Sequence, residues 1–145
     1  MKHSWRAGAA LLALTMAAGL AGCGGQTSQK TQSGGEKDSY TIGIVQLTPH
    51  EALDQATKGF QDALKEAFGD KVTFDLEYAA NDPATCATIA NTFVSSGVDL
   101  IMANASSALQ AAASATGDIP VLGTSVTEYG VALKIDDFSG TVGTN

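Results

Sequence analysis

One stretch of the sequence, LIMANASSALQAAASATG at residues 100–117, could bind a small ligand without covalent chemistry. An apolar run ends at Asn104, and an alanine-rich helix is predicted to begin at Ser106 and Ser107. The first turn of a helix offers unpaired N–H groups and about half a positive charge, which attract an anion. No arginine follows Arg6, so the stretch lacks the planar fork that favours phosphate or a dicarboxylate. We therefore predict that a small carboxylate binds at Asn104, Ala105, Ser106 and Ser107.

A simpler interpretation of Ser106 stays open at this point. Serine is a common N-cap residue, so its hydroxyl could serve only to cap the helix. The two roles are compatible, because one side chain can close a helix end and also face a ligand.

Polar side chains also follow the first and the last apolar runs of the sequence. These residues are Thr48 and His50 after the first run, and Ser125, Thr127 and Glu128 after the last. In a parallel sheet such loops meet at one edge, so they should bound the same site. Glu128, with Glu51 as a further candidate, could meet an ammonium group, and an amino acid would then satisfy both ends of the site. His50 is equally compatible with a solvent-facing position in a first helical turn.

The residue sets of common catalytic sites are missing. His50 is the only histidine beyond residue 22, and the HEALD stretch has Asp54 where a zinc-binding helix has its second histidine. The two adjacent serines lack the glycines of a hydrolase nucleophile elbow, and no phosphate-binding glycine loop follows a predicted strand. We expect a binding protein and not an enzyme, with no metal and no cofactor.

The elements that must position these loops alternate along the chain. Apolar, β-rich runs such as YTIGIVQL and VDLIMAN alternate with stretches of helical apolar spacing. The order β-α-β-α-β-α-β predicts an α/β fold, a doubly wound parallel sheet with helices on both faces. KVTFDLEYA alternates apolar and polar residues, which predicts a strand at the edge of the sheet.

The residues between the elements predict where the helices begin and end. Thr48 is predicted to cap the first helix, with Pro49 in its first turn and Glu51 completing a capping box. Asp82 is predicted to cap the second helix, followed by Pro83. Each helix is followed by a glycine that could close its last turn in a left-handed conformation, namely Gly69, Gly97 and Gly117.

The N-terminal segment resembles a bacterial lipoprotein signal. Lys2 and Arg6 precede a short apolar run, and the run ends in Leu-Ala-Gly-Cys, which resembles the lipobox whose cysteine carries the lipid. This predicts a signal peptide at 1–22 and a lipid anchor on Cys23, at the extracytoplasmic side of the cell membrane. Removal of the two basic leader residues changes the formal charge from −7 to −9, which disfavours a nucleic-acid partner.

The remainder divides into a tether and a lobe. Residues 24–39 contain no aliphatic or aromatic side chain, so 23–39 is predicted to be a flexible tether and 40–145 a folded lobe. Cys86 would then have no disulfide partner, and its position on an apolar helical stripe predicts a small core residue.

Several motifs together resemble the substrate-binding lipoproteins of bacterial ABC importers, in the family that includes tryptophan- and tyrosine-binding proteins. The motifs are DLIMANASSALQAA, IPVLGTSVTEYGVAL and, in the first helix, His50, Leu53, Asp54, Gly59 and Phe60. Three positions depart from the family pattern: Glu51 replaces a proline, Ser106-Ser107 replaces Thr-Pro, and Glu128-Tyr129 replaces Asp-Pro.

The resemblance implies an architecture and a function. The family's proteins clasp a ligand between two lobes, and this sequence matches only the N-terminal lobe of such a type I periplasmic binding protein, truncated, with the second lobe absent. The implied ligand is an amino acid, with an aromatic one favoured, and the implied partner is an ABC permease. The alternative is a sugar-binding or signal-sensing domain of the same architecture. A single lobe leaves its ligand solvated on one side, so we expect weak binding by this sequence alone.

Overall fold

The described part of the protein folds around a four-stranded parallel sheet. The structure, a computed structural model, describes residues 37–139. Its strands are β1 Tyr40–Gln46, β2 Val72–Tyr78, β3 Leu100–Asn104 and β4 Val121–Thr124. Neighbouring strands all pair in parallel, in the order β2-β1-β3-β4. The predicted α/β fold is confirmed, and the KVTFDLEYA strand lies at an edge as expected.

Helices connect the strands and cover both faces of the sheet. They are α1 Glu51–Phe68, α2 Pro83–Ser96, α3 Ser106–Ala115 and α4 Tyr129–Leu133, with a 3-10 turn at Gly69–Lys71. Phe60 and Leu64 of α1 pack near Ile44 and Met102 on one face. On the other face α2 and α3 bury a second cluster around Phe93. Helix α4 was absent from the sequence-based order, because five residues are too few to show a helical periodicity.

Two predicted N-caps are wrong. Helix α1 begins at Glu51, and its N-cap is His50, whose Nδ1 accepts a hydrogen bond from the Ala52 N–H at 3.2 Å. Thr48 therefore forms no capping box with Glu51. The chain bends at Leu47 and Thr48, where the Thr48 carbonyl accepts a hydrogen bond from the Gln46 side chain at 2.9 Å, and His50 is extended with φ −160° and ψ 135°. The N-cap of α3 is Ala105 and not Ser106, which is the first helical residue.

The predicted glycine C-caps have mixed outcomes. Gly97 is left-handed (φ 70°, ψ 43°) and closes α2 as predicted. Gly69 closes α1 with a positive φ of 58°, but its ψ of −131° is not left-handed helical. The expectation for Gly117 is wrong, because α3 ends at Ala115 and is followed by an extended Thr116. The Thr116 hydroxyl oxygen accepts from the Asp118 N–H at 3.1 Å and from the Ile119 N–H at 3.0 Å, so a glycine is not needed there.

The predicted start of α2 is confirmed. Asp82 is its N-cap, and its carboxylate accepts from the Ala84 N–H at 3.2 Å and from the Thr85 N–H at 2.9 Å, with Pro83 following. The Thr85 hydroxyl donates to the same carboxylate at 2.6 Å. These bonds, the hydroxyl first, hold the pKa of Asp82 below its usual value.

The lowered pKa of Asp82 predicts a contribution to acid sensitivity. A carboxyl whose pKa is lower in the folded state stabilises the fold above its unfolded-state pKa, about 3.9, and loses this effect as pH falls through the folded value. The variant Asp82→Asn still caps the helix but does not titrate. We expect its urea midpoint to fall less between about pH 5 and about pH 2 than that of the parent. An equal fall in both proteins would assign the acid sensitivity to other groups.

The predicted leader and lipidation site lie outside the described residues. This applies to the signal peptide at 1–22, to Cys23 and to most of the tether at 23–39. At the end of that tether, however, Lys37 pairs with Asp99 of the lobe, and its N–H donates to the Tyr40 hydroxyl at 3.3 Å. Contacts with the lobe therefore begin before residue 40. Among residues 37–139, no helix has the length and apolar character needed to cross a bilayer.

Candidate ligand-binding site

The winding of the sheet reverses between β1 and β3. From β1 the chain moves to β2 on one side, and it then crosses to β3 and β4 on the other side. Helices α1 and α3 pack on opposite faces, so their first turns flank a crevice outside the carboxyl ends of these two central strands. Open α/β sheets bind ligands at such a switch point.

A surface depression of about 290 Å³ lies next to this crevice, between α3 and α4. It is lined by Ser106, Ser107, Gln110, Thr127, Glu128, Val131 and Ala132. Four of the predicted site residues, namely Ser106, Ser107, Thr127 and Glu128, are therefore brought together. Gln110, Val131 and Ala132 were missed by the sequence reasoning, although their spacing from Ser106 and Glu128 places them one helical turn further on.

The backbone at the start of α3 has an uncommon conformation. Ala105 adopts φ 104° and ψ 161°, a region that is almost restricted to glycine. Its N–H donates to the Thr124 carbonyl at 3.0 Å, which fixes the turn against the end of β4. An alanine side chain cannot cap a helix, and no side chain does so here. We call Ala105, Ser106 and Ser107 the α3 entrance; its first N–H groups have no side-chain cap.

Ser106 and Glu128 have local structural roles in the structure. The Ser106 hydroxyl oxygen accepts from the Thr127 N–H at 3.2 Å, so it joins α3 to the loop before α4. Glu128 is the N-cap of α4, and its Oε1 accepts from the Gly130 N–H at 3.1 Å. The Ser106 hydroxyl can still donate its own hydrogen, and the Glu128 carboxylate has a second oxygen. Neither contact prevents a role in ligand binding.

The other predicted site residues lie outside this depression. His50 is exposed on the crevice side of α1, where its Nδ1 is engaged in capping, and Thr48 precedes it in the same loop. Ser125 is exposed with a positive φ of 55° in the loop after β4. Asn104 ends β3 with its side chain 0 % exposed, so in this structure that side chain offers no surface to a solute.

A buried polar cluster lies beneath the crevice, and the sequence reasoning missed it. It consists of Gln46, Thr57 and Asn104. The Thr57 hydroxyl donates to Gln46 Oε1 at 2.7 Å and accepts from Asn104 Nδ2 at 2.9 Å. Asn104 Nδ2 also donates to the Leu53 carbonyl at 2.8 Å, while its Oδ1 has no partner. The available signal was a glutamine at the end of the apolar YTIGIVQ strand.

The single cysteine within residues 37–139 is buried, which makes its thiol unreactive. Cys86 is a free cysteine with no exposed surface, as its apolar stripe predicted. Desolvation, with a smaller contribution from the Asp82 charge, raises the pKa of its thiol. Within residues 37–139 there is no group of three or more His, Cys, Asp or Glu side chains that could hold a metal ion.

A doubly wound sheet with an uncapped helix start and a shallow depression beside its switch point is an arrangement typical of small-molecule binding lobes. Comparison with known proteins identifies the family. The chain belongs to the ABC transporter substrate binding protein family, whose pattern matches residues 41–144. The family resemblance inferred from the motifs is confirmed.

The chain is similar to a longer curated relative. It is 38 % identical over 133 residues to a tyrosine-binding protein of Clostridioides difficile strain R20291. The match covers 85 % of this chain and 39 % of the relative, so the chain spans about two fifths of the relative's length.

Solved structures of similar proteins have the same fold. One is a ligand-free, open substrate binding protein with adhesive properties from Clostridium difficile, 42 % identical with a TM-score of 0.62. Another is an ABC domain from Streptococcus pneumonia in complex with L-Trp, 35 % identical with a TM-score of 0.61. The matches cover 64 % and 65 % of this chain, and 32 % of each solved chain.

Proposed function

We propose that this chain supplies one wall of an amino acid site in the extracytoplasmic binding component of an ABC importer. The observation that carries the proposal is the uncapped α3 entrance at the switch point of the sheet. The N–H groups of the first turn of α3, which have no side-chain cap, and the helix dipole suit one carboxylate. Relatives that bind tyrosine or hold L-Trp support an aromatic amino acid as the solute.

The charges around the depression favour a zwitterion. Its lining includes one carboxylate, that of Glu128, and no lysine or arginine. A doubly charged anion would therefore meet no compensating cation there, whereas the ammonium group of an amino acid can approach Glu128. Val131, which is 76 % exposed, and Ala132 provide apolar surface for the side chain of the solute.

The rest of the proposed mechanism depends on parts that the structure does not describe. The matched part covers 39 % of the curated relative and 32 % of the solved chain, so a second lobe would supply the facing wall and close over the solute. The signal peptide at 1–22 would direct export and be removed, and the lipid on Cys23 would then hold the protein at the extracytoplasmic side of the cell membrane, where a permease accepts the solute.

The sugar-binding alternative has less support. Sugar sites stack rings on aromatic side chains, and Tyr129 is the clearest aromatic residue in the predicted loops. Its hydroxyl donates to the Gly123 carbonyl at 3.0 Å, and its ring is half-buried beside Leu109 and Gly123. The depression lining includes no aromatic side chain.

A chemical-shift titration of the ¹⁵N-labelled chain tests the proposal. We expect L-tryptophan and L-tyrosine to shift the amide signals of Ser107, Ala108 and Thr127, with a Kd on the order of 1 mM because one wall of the site is open. Glucose and inorganic phosphate are the matched controls and should shift none of them. Shifts produced by glucose alone would favour the sugar-binding alternative, and amino acid shifts confined to other surfaces would refute the α3 entrance as the site.

A further inference from the structure

The buried polar side chains of the described core all lie at one end of the sheet. Gln46, Thr57 and Asn104 are the buried polar residues of this region, and they come from β1, α1 and β3. One step back along the same face, Ile44 and Met102 are apolar. A buried polar group stabilises a fold little compared with a well-packed apolar one, so such a cluster contributes geometry more than stability.

Gln46 is bonded at every hydrogen-bonding position of its amide. Its Oε1 accepts from Thr57 and, at 3.4 Å, from Asn104. Its Nε2 donates to the Thr48 carbonyl at 2.9 Å and to the Asp54 carboxylate at 2.7 Å. Because both of the latter groups only accept, the orientation of the amide is fixed.

Asn104 continues this hydrogen-bond network to the α3 side of the crevice. Its Nδ2 is held by the Leu53 carbonyl, which also only accepts, and by Thr57. The next residue is Ala105, whose strained backbone starts α3. The Asn104 carbonyl accepts from the Leu47 N–H at 3.2 Å, so loop and strand are joined through backbone as well.

We infer that Gln46, Thr57 and Asn104 are positioning residues, which fix the distance between the β1–α1 loop and the α3 entrance. This role rests on the proposed function, because it matters where those two segments form walls of a binding site. The hydroxyl of Thr57 is the central link, since it is the group that both accepts from Asn104 and donates to Gln46.

Amide hydrogen exchange in the unliganded chain tests this role. The variant Thr57→Val keeps the shape of the side chain and removes the hydroxyl, and Thr57→Ser keeps the hydroxyl and removes a methyl group. We expect exchange at Leu47 and Ala105 to become about tenfold faster in Thr57→Val and to stay near the parent rate in Thr57→Ser. Val98 and Ile101, whose N–H groups are bonded at the far end of the sheet, are the internal controls and should not change.

Three results would overturn the inference. If Thr57→Val accelerates Val98 and Ile101 by the same factor as Leu47 and Ala105, the hydroxyl contributes only to general stability. If it accelerates none of them, or if Thr57→Ser behaves like Thr57→Val, the hydroxyl does not hold the two walls together. No ligand is present in this experiment, so a chain that binds no amino acid would refute the proposed function and leave this result interpretable.

Discussion

Replacement of Phe93 by alanine is expected to lower the free energy of unfolding by about 3–5 kcal/mol, a large part of the 5–15 kcal/mol typical of a small domain. The Phe93 ring is 0 % exposed and lies in the core between α2 and the sheet. It packs directly on β1 at Gly43, where an added Cβ would lie 2.6 Å from the ring. Alanine would leave a cavity at this contact. Urea denaturation of both proteins measures the difference.

The contact between Phe93 and Gly43 offers a control variant. Gly43→Ala alone should destabilise the fold by about 1–3 kcal/mol, because the new methyl group overlaps the Phe93 ring. In the Phe93→Ala background the same methyl group enters the cavity, so its cost should vanish or change sign. Additive effects of the two substitutions would show that the ring does not occupy the space above Gly43.

The fold was predictable because its signals are periodic and mutually consistent. Residues 42–45 form a continuous run without polar side chains, as a strand buried on both faces requires, and the apolar stripe of α1 includes Phe60 and Leu64. Such patterns report burial, which local sequence encodes directly. They do not report strand order, and the sequence identified β2 as an edge only because its polar residues alternate.

Helix caps were less predictable because tertiary hydrogen bonds compete with local ones. Thr48 has the sequence context of a cap, but its carbonyl accepts from the Gln46 side chain, and His50 caps the helix instead. Ser106 is used by the Thr127 N–H of a loop 21 residues away. A capping motif describes the bonds available within a few residues, and it has no information on these distant partners.

The grouping of loop residues at the carboxyl edge of the sheet was predictable, whereas the exposure of the individual side chains was not. The rule that loops meet at the carboxyl edge correctly brought Ser106, Ser107 and Thr127 together. It also predicted Asn104, whose side chain instead turns into the core toward Thr57. A position at the end of a strand does not determine whether a side chain faces the solvent or the core. Successive side chains alternate between the two faces of the sheet, so the direction of the last one depends on its face.

The largest expected effect on binding is that of an acidic side chain in the α3 entrance. Ser107 is partly exposed in the first turn of α3, and Ser107→Asp would place a carboxylate beside the N–H groups that we assign to the solute. Two like charges about 4 Å apart in a partly exposed site repel by up to about 4 kcal/mol, so we expect amino acid affinity to fall by about tenfold to a hundredfold. The titration of Ser107 and Ala108 amide signals with L-tryptophan measures this loss.

Ser107→Asp should also stabilise the fold while it weakens binding. These opposite effects distinguish a loss of ligand recognition from a loss of folding. An acidic residue in the first turn interacts favourably with the helix dipole, by about 0.3–1 kcal/mol. Ser107→Asn has nearly the same size without the charge, so it should leave both affinity and stability closer to those of the parent. If Ser107→Asp raises the urea midpoint and binds L-tryptophan as the parent does, the carboxylate of the solute is not held at α3. The family assignment would stand in that case, because it depends on the match across residues 41–144 and not on this contact.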